Sequence, residues 1–138
     1  MTIKIPISTG ELIDKITILE IKTHHIKEGD KLSIIYNELK MLYDEFEKLL
    51  DSIEKKKKKL LSLKNDLEKV NSTLWEIEDK IRILEAKKDF TGDFVELARN
   101  VYLYNDKRSE LKKKINILTD SHISEIKQYP NYKDNEQQ

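Results

Sequence analysis

The fold follows from one stretch of the chain, residues 70–85, which reads VNSTLWEIEDKIRILE. Its aliphatic residues recur every three or four positions, which is the spacing of the buried face of an α-helix: Leu74, Ile77, Ile81 and Leu84. A second stripe with the same spacing lies beside that face: Asn71, Trp75, Glu78, Arg82 and Glu85. We therefore expect other helices to pack here, and any site to lie along the polar stripe.

The composition places the whole chain in the all-α class. Only 3 Gly and 2 Pro occur among 138 residues, whereas 38% of the residues are charged. Sheets and turns need more Gly and Pro, and this length suits one domain. The sequence predicts a single domain over residues 1–130, an antiparallel bundle of about four helices with an extended N-terminal arm and a short C-terminal helix.

Charge and cysteine content exclude several classes of function. The 26 basic and 26 acidic residues cancel, so we expect neither nucleic acid nor a membrane as a partner. The absence of Cys excludes disulfides, thiol nucleophiles and cysteine zinc sites. No apolar run approaches the roughly 20 residues of a membrane span, and residues 2–7 lack the features of a signal peptide. We expect a cytoplasmic protein without cofactor or metal.

Toward the N-terminus, Ser8 and Glu11 form a capping box that opens the first helix, predicted over residues 9–27. Its apolar residues cover much more than one stripe, so we expect other helices to surround it. Residues 1–8 carry isoleucines at alternate positions, but no second strand-like segment exists to pair with them. They are predicted to form an extended arm whose isoleucines pack on the helices or on a second subunit.

The middle of the chain allows two arrangements. Apolar residues follow a heptad from Leu32 to Leu84, interrupted only by Lys56. Taken literally, residues 31–87 form one coiled-coil helix roughly 85 Å long. A turn within residues 51–59 instead gives two antiparallel helices, 31–51 and 57–87. The lysine run at 55–59 is the least apolar segment and favours a break there, although neither Gly nor Pro marks it.

The C-terminal third begins after a turn at residues 88–93. A fourth helix is predicted over 94–118, and Arg108 falls on its core line, where an aliphatic residue is expected. Ser121 is predicted to cap a short helix at 121–128, which Pro130 stops, and 131–138 is predicted to be a flexible tail.

Four segments carry a family resemblance: IPISTGELIDKITILEIK at 5–22, LWEIEDKIR at 74–82 after Asn71, LARNVY at 97–102 before residues 105–108, and the ending at 125–129. They resemble an uncharacterised all-helical domain family, mainly bacterial and of unknown function. The resemblance covers nearly the whole chain. It implies a turn-like insert at 51–59, which favours the hairpin, and a link to glycosyltransferase or surface-polysaccharide genes.

A polar cluster is the leading candidate site: Glu20, Asn71, Trp75, Glu78, Arg82, Arg99, Tyr102, Asn105, Asp106 and Arg108. One interpretation is a set of ion pairs that fix helix register, since Glu78 and Arg82 have the spacing of a helical salt bridge. The other is a pocket between the first, third and fourth helices, in which arginines and aromatic rings bind a phosphate, a carboxylate or a phosphosugar. The position of Arg108 favours the pocket, because an unpaired buried arginine is costly.

Three other patterns carry less weight. Six acidic residues offer oxygen ligands for a divalent metal: Glu11, Glu20, Glu76, Glu78, Asp79 and Asp106. No Glu-x-x-His motif accompanies them, and adjacent acids point to different helix faces. His24 and His25 are consecutive and diverge on a helix, so they do not chelate together. Acids flank the lysine run at 55–59, which is typical of a solvated surface.

Three functions therefore remain open. The first is a non-enzymatic helical module that binds an anionic small molecule, or a protein partner or second copy through its heptad helices. The second is a small enzyme acting on an anionic metabolite, with Arg82, Arg99 and Arg108 holding the anion and Glu20 or Glu78 transferring a proton. Carboxylates close to arginines suit ion pairing better than acid catalysis, which favours the first. The third is a coiled-coil scaffold.

Overall fold

The computed structural model describes residues 1–133 of the chain. Four antiparallel α-helices follow one another: α1 Thr9–His25, α2 Gly29–Ser52, α3 Lys57–Ala86 and α4 Gly92–Leu118. One turn of 3₁₀ helix, Glu54–Lys56, joins α2 to α3, and the described residues contain no strand. The predicted all-α class is therefore confirmed.

The start of α1 follows the predicted cap. The Ser8 hydroxyl accepts a hydrogen bond of 3.1 Å from the backbone N–H of Glu11, and α1 ends at His25, two residues before the predicted end. The arm before Ser8 is extended, but Ile3 and Ile5 remain 77% and 70% exposed. The arm therefore does not bury its isoleucines on the helices of its own chain, and their packing on a second subunit stays a prediction.

Residues 31–87 form a hairpin and not one long helix. The backbone leaves the helical conformation at Ile53 (φ −128°, ψ 36°), two residues before the lysine run. Folding back lets Leu39 and Phe46 of α2 share one core with Leu63 and Leu67 of α3. Burial of these side chains is the physical reason for the break, since a single long helix leaves most of them in water.

The first helix lies at the centre of the bundle. It packs against α2, α3 and α4, and Ile13 and Ile16 are completely buried. Leu60 and Leu67 of α3 and Ile115 of α4 meet the same core. This arrangement accounts for the wide apolar surface of α1 in the sequence.

The short helix predicted at 121–128 does not form, and this prediction is corrected. After α4 ends at Leu118, Asp120 adopts a left-handed conformation (φ 52°) and the chain turns back along α4 in an irregular segment. The Ser121 hydroxyl does not cap a helix: it accepts from the N–H of Thr9 at 3.4 Å and donates to the carbonyl of Ile123 at 2.7 Å. Of the predicted tail at 131–138, residues 134–138 lie outside the described chain.

None of the helices within residues 1–133 combines the length and the apolar character that crossing a membrane requires.

Candidate functional site

A layer of buried polar side chains crosses the centre of the bundle. Asp14 and Thr17 come from α1 and Asn71 comes from α3, and these residues are 1%, 0% and 5% exposed. The amide nitrogen of Asn71 donates to the carboxylate of Asp14 and to the hydroxyl of Thr17, both at 2.9 Å. The Thr17 hydroxyl itself donates to the backbone carbonyl of Asp14 at 2.7 Å. The layer thereby fixes the register of α1 against α3.

Arg108 of α4 completes this layer. Its Nε donates to Oδ1 of Asp14 at 2.8 Å, and its Nη2 donates to Oδ2 of the same carboxylate. Its Nη1 lies 3.5 Å from the side-chain oxygen of Asn105. The hydrogen bond to Asp14 is the largest cause of the raised pKa of Arg108. A two-pronged, charge-assisted pair of this kind compensates the buried carboxylate and explains an arginine on a core line.

A second polar group joins α1, α4 and the C-terminal segment one turn further along α4. Lys112 is 8% exposed, and its ammonium lies 2.8 Å from Glu11 and 3.1 Å from Glu125. Burial lowers the pKa of Lys112, but its hydrogen bonds to the two carboxylates outweigh burial and the net pKa is raised. The hydrogen bond from Lys112 in turn lowers the pKa of Glu125.

Close approach of α1 to α4 at this point requires a glycine. The N–H of Gly10 donates to the side-chain oxygen of Asn116 at 2.7 Å. A Cβ at Gly10 would lie 2.7 Å from the backbone oxygen of Lys112 and 2.9 Å from Asn116 Oδ1. The contact therefore depends on the missing side chain, and it places Lys112 within reach of Glu11.

Above the polar layer, α1, α3 and α4 enclose a cleft of about 230 Å³. Nine residues line it: Ile18, Ile21, Lys22, Asn71, Leu74, Trp75, Glu78, Asn105 and Arg108. Trp75 stacks on His25 with ring centroids 4.8 Å apart and planes inclined by 21°. The indole N–H of Trp75 is buried and has no hydrogen-bond partner among residues 1–133. Trp75 thus gives the cleft an aromatic wall, and its indole N–H is left without a partner.

Five of the ten predicted site residues line this cleft: Asn71, Trp75, Glu78, Asn105 and Arg108. Arg82 lies outside it on the surface, paired with Glu78 at 3.6 Å, and their side chains are 71% and 48% exposed. Arg99 is also exposed and pairs with Glu96 at 3.3 Å. The two arginines expected to hold an anion beside Arg108 are therefore surface residues.

The remaining three predicted residues lie elsewhere. Glu20 pairs with Lys64 at 2.9 Å, near Tyr43 of α2, whose pKa is raised by burial and then by Glu20. Tyr102 packs edge-on against Tyr132 with centroids 5.0 Å apart. Asp106 lies beside Tyr129, whose pKa is raised by desolvation and by its contact with Asp106. The ten predicted residues therefore do not form one cluster in the structure.

Asp14, Thr17 and Lys22 belong to the polar layer or the cleft but were not among the predicted site residues, although the sequence offered a clue to Asp14. An arginine on the core line of α4 requires a buried anion, and Asp14 lies one position from the fully buried Ile13 and three from Thr17. Glu20, the acid of α1 in the predicted cluster, lies three residues from Thr17 and six from Asp14 in the sequence. Which side of α1 meets α4 is set by helix packing, so the pattern alone did not distinguish the two acids.

The six acids considered as metal ligands do not converge. Among residues 1–133, no group of three or more His, Asp or Glu side chains is placed to hold one metal ion.

A family model described as a family of unknown function (DUF6165) matches residues 3–134. The chain belongs to this family. The earlier resemblance to an uncharacterised domain family is confirmed, and the family supplies no reaction, substrate or partner. Neither a curated protein nor a solved structure gave a significant match.

Proposed function

We propose that the chain is a non-enzymatic binding module that holds a small carboxylate or phosphate compound in the cleft between α1, α3 and α4. One observation carries the proposal: the buried indole N–H of Trp75 has no partner within the described chain. A buried donor without an acceptor costs free energy, typically about 1–3 kcal/mol. An acceptor atom of a bound ligand removes that cost.

The other donors of the cleft support an anionic ligand. Lys22 lines it and forms no ion pair with any residue of the described chain, so its charge is uncompensated there. Arg108 and the amide of Asn105 border the same space. Glu78, the single acid of the lining, is already paired with Arg82 at the surface. Arg108 is compensated by Asp14 and Glu78 by Arg82, so Lys22 leaves one uncompensated positive charge in the lining, which favours carboxylate or phosphate oxygens.

The size and the walls of the cleft restrict the ligand further. Its volume of about 230 Å³ is below the range of roughly 300–1,000 Å³ typical of sites for drug-sized molecules. The Trp75 ring and Leu74 offer an apolar wall beside the donors. A small organic acid or a phosphorylated fragment of a larger compound suits this combination better than a nucleotide.

The same groups argue against catalysis. The Asp14 carboxylate is held by Arg108 and Asn71, and the Thr17 hydroxyl is engaged with a backbone carbonyl. Glu20, one of the two proposed proton-transfer groups, pairs with Lys64 away from the cleft. General acid–base catalysis needs a group free to exchange a proton within reach of the ligand.

Burial of the heptad residues inside the chain also bears on the scaffold hypothesis. Leu39, Phe46, Leu63 and Leu67 are all at least 92% buried in the intramolecular core. Because these side chains are buried within the same chain, they cannot also pair with a second coiled-coil helix. This supports a folded binding domain over a coiled-coil scaffold.

A thermal-shift screen tests the proposed site, with inorganic phosphate, small dicarboxylates and phosphosugars as probes. A ligand at 100 times its Kd stabilises by about 2.7 kcal/mol. For a domain of this size that raises Tm by about 9 °C. Trp75→Phe keeps an aromatic ring, although a smaller one, and removes the N–H, so binding of a hit is expected to weaken about 10-fold or more. Lys22→Gln is expected to weaken it similarly.

Lys27→Gln is the matched control, because Lys27 is an exposed residue just beyond the end of α1 and lies outside the cleft. It is expected to bind as the wild type does. A screen without any hit overturns the proposal, and so does a hit whose affinity is unchanged in both Trp75→Phe and Lys22→Gln.

A further inference from the structure

We propose that the end of the bundle at which α2 turns into α3 is a docking surface for an anionic lipid bilayer. We define this basic end as the lysine run 55–59, the last turns of α4 and the N-terminal arm up to Ser8. The inference is independent of the function proposed for the cleft. It also departs from the expectation of no membrane partner, which rested on the zero net charge of the chain.

Two hydrogen bonds bring these segments to one end of the molecule. The ammonium of Lys56 donates to the backbone carbonyl of Leu118 at 3.1 Å, so the turn between α2 and α3 touches the end of α4. The N–H of Thr9 donates to the hydroxyl of Ser121 at 3.4 Å, so α1 and the arm begin beside the end of α4 as well. Segments far apart in sequence therefore form one surface.

The basic end carries an excess of positive charge, because its lysines outnumber the exposed acids Asp51, Glu54 and Asp120 that lie at the same end. All five lysines at 55–59 are exposed, and apart from Lys56 none of them forms a hydrogen bond or ion pair with the described residues. Lys113 and Lys114 on the last turns of α4 add to them. The first turn of α3 contains no acidic residue. Cations at a helix N-terminus oppose the helix dipole, so these lysines do not serve the stability of α3.

Large aliphatic side chains are exposed at the same end. Ile3, Ile5 and Ile7 of the arm are 77%, 70% and 39% exposed, and Ile117 in the last turn of α4 is 71% exposed. A single exposed isoleucine is unremarkable, but Ile117 precedes Leu118, whose carbonyl accepts from Lys56, so an exposed aliphatic side chain lies close to the lysine run. On a bilayer, such side chains are buried at the boundary between the head groups and the acyl chains, while the lysines contact the anionic head groups.

The chemistry of this end favours lipid over nucleic acid or a second copy of the chain. Residues 1–11, 49–63 and 113–123 contain no Arg, Trp, Tyr or Phe. Base readout and base stacking in nucleic-acid sites use mainly arginine forks and aromatic rings, so a nucleic acid here would be limited to phosphate contacts and would leave the isoleucines unused. A second copy would present the same positive charge and be repelled. An anionic bilayer complements both the lysines and the isoleucines.

This orientation leaves the proposed cleft open to water. Trp75 follows Lys59 by 16 residues on α3, a distance of roughly 24 Å along the helix axis. A chain docked through its basic end therefore holds the cleft well above the head groups. Failure of one proposal does not imply failure of the other.

Vesicle co-sedimentation of the full chain tests the proposal. The probes are vesicles of phosphatidylcholine alone and vesicles in which about a third of the lipid is phosphatidylglycerol. We expect binding to the anionic vesicles only, weakening as salt is raised. Each lysine near an anionic surface strengthens binding about five-fold, so the triple variant Lys55→Gln/Lys57→Gln/Lys58→Gln is expected to bind roughly 100-fold less well.

The matched control removes three exposed lysines without an ion pair among the described residues from the opposite end, Lys27→Gln/Lys80→Gln/Lys87→Gln, and changes the net charge equally. It is expected to bind like the wild type. Ile3→Ser/Ile5→Ser is expected to lose the binding that persists at high salt. Circular dichroism verifies that each variant is folded.

Three results overturn the proposal. They are no binding of the wild type to anionic vesicles, equal losses in the two triple-lysine variants, and retention of a single-stranded oligonucleotide without retention of vesicles. The last result assigns the surface to nucleic acid.

Discussion

Replacement of Arg108 by leucine tests whether the polar layer holds the bundle together. In Arg108→Leu, the carboxylate of Asp14 stays buried but loses both of its guanidinium hydrogen bonds. Asn71 remains as its side-chain donor. Removing one partner of a buried ion pair leaves a charge without compensation, and this costs more than the pair itself contributes.

The expected loss follows from burial. Breaking a buried pair costs about 3–5 kcal/mol. The Asp14 side chain is 2% exposed, but that of Arg108 is 28% exposed, so water can partly replace the guanidinium. We therefore expect Arg108→Leu to lower the free energy of unfolding by about 3 kcal/mol, the lower end of that range. With an unfolding entropy of about 2.1 cal/mol/K per residue, that lowers Tm by about 10 °C.

Urea unfolding, monitored by circular dichroism, measures this loss of stability and compares it with two other variants. Arg82→Leu makes the same change in an exposed pair and is expected to cost no more than about 0.5 kcal/mol. Asp14→Asn added to Arg108→Leu removes the buried charge and is expected to recover about half of the loss. Equal midpoints for the two arginine variants, or a double variant no more stable than Arg108→Leu, would refute the reasoning.

Three further outcomes are expected in the same urea assay. Gly10→Ala is expected to destabilise the fold by about 1–3 kcal/mol, because its Cβ would lie 2.7 Å from a backbone oxygen of α4. Gly92→Ala is expected to be neutral or to stabilise the fold by up to about 1 kcal/mol, because its Cβ would meet nothing within 4 Å. Leu60→Ala, at a fully buried position, is expected to cost about 2–5 kcal/mol, and Leu61→Ala, 41% exposed, under about 1 kcal/mol. The pKa of Glu125 is lowered in the folded chain chiefly by its hydrogen bond from Lys112. The stability that Glu125 contributes is therefore present above the pKa of the unfolded carboxyl and is lost as pH falls through the folded pKa. Between about pH 5 and pH 3, Glu125→Gln is expected to lose less stability than the wild type.

The helices were readable from the sequence because their signals are local. The Ser8 cap, the turn before Gly92 and the three-four spacing around Leu74 each depend on neighbouring residues. The hairpin between α2 and α3 was one of two alternatives, because the heptad continues almost unbroken through it. Only the burial of both apolar faces against α1 decided between them.

Prediction failed where the outcome depended on distant contacts. Ser121 has the residue type of a helix cap, but its hydroxyl bonds to Thr9, 112 positions earlier, and no helix follows. Arg82 and Arg99 share helices with the cleft residues, but they point into water. Residue type and spacing gave no information on which face of each helix meets its neighbours.

The sequence by itself determined that this chain is helical, approximately where the first and the last long helix lie, and that an arginine on the core line of α4 needed a buried partner. Those results depend on local hydrogen bonding and on the period of the apolar residues. Only the tertiary structure decided that Asp14 is that partner, that residues 31–87 fold into a hairpin, that the indole N–H of Trp75 has no partner, and that the lysine run contacts the end of α4. The reason is that helix packing sets the rotation of each helix about its own axis, and that rotation selects which side chains are buried together.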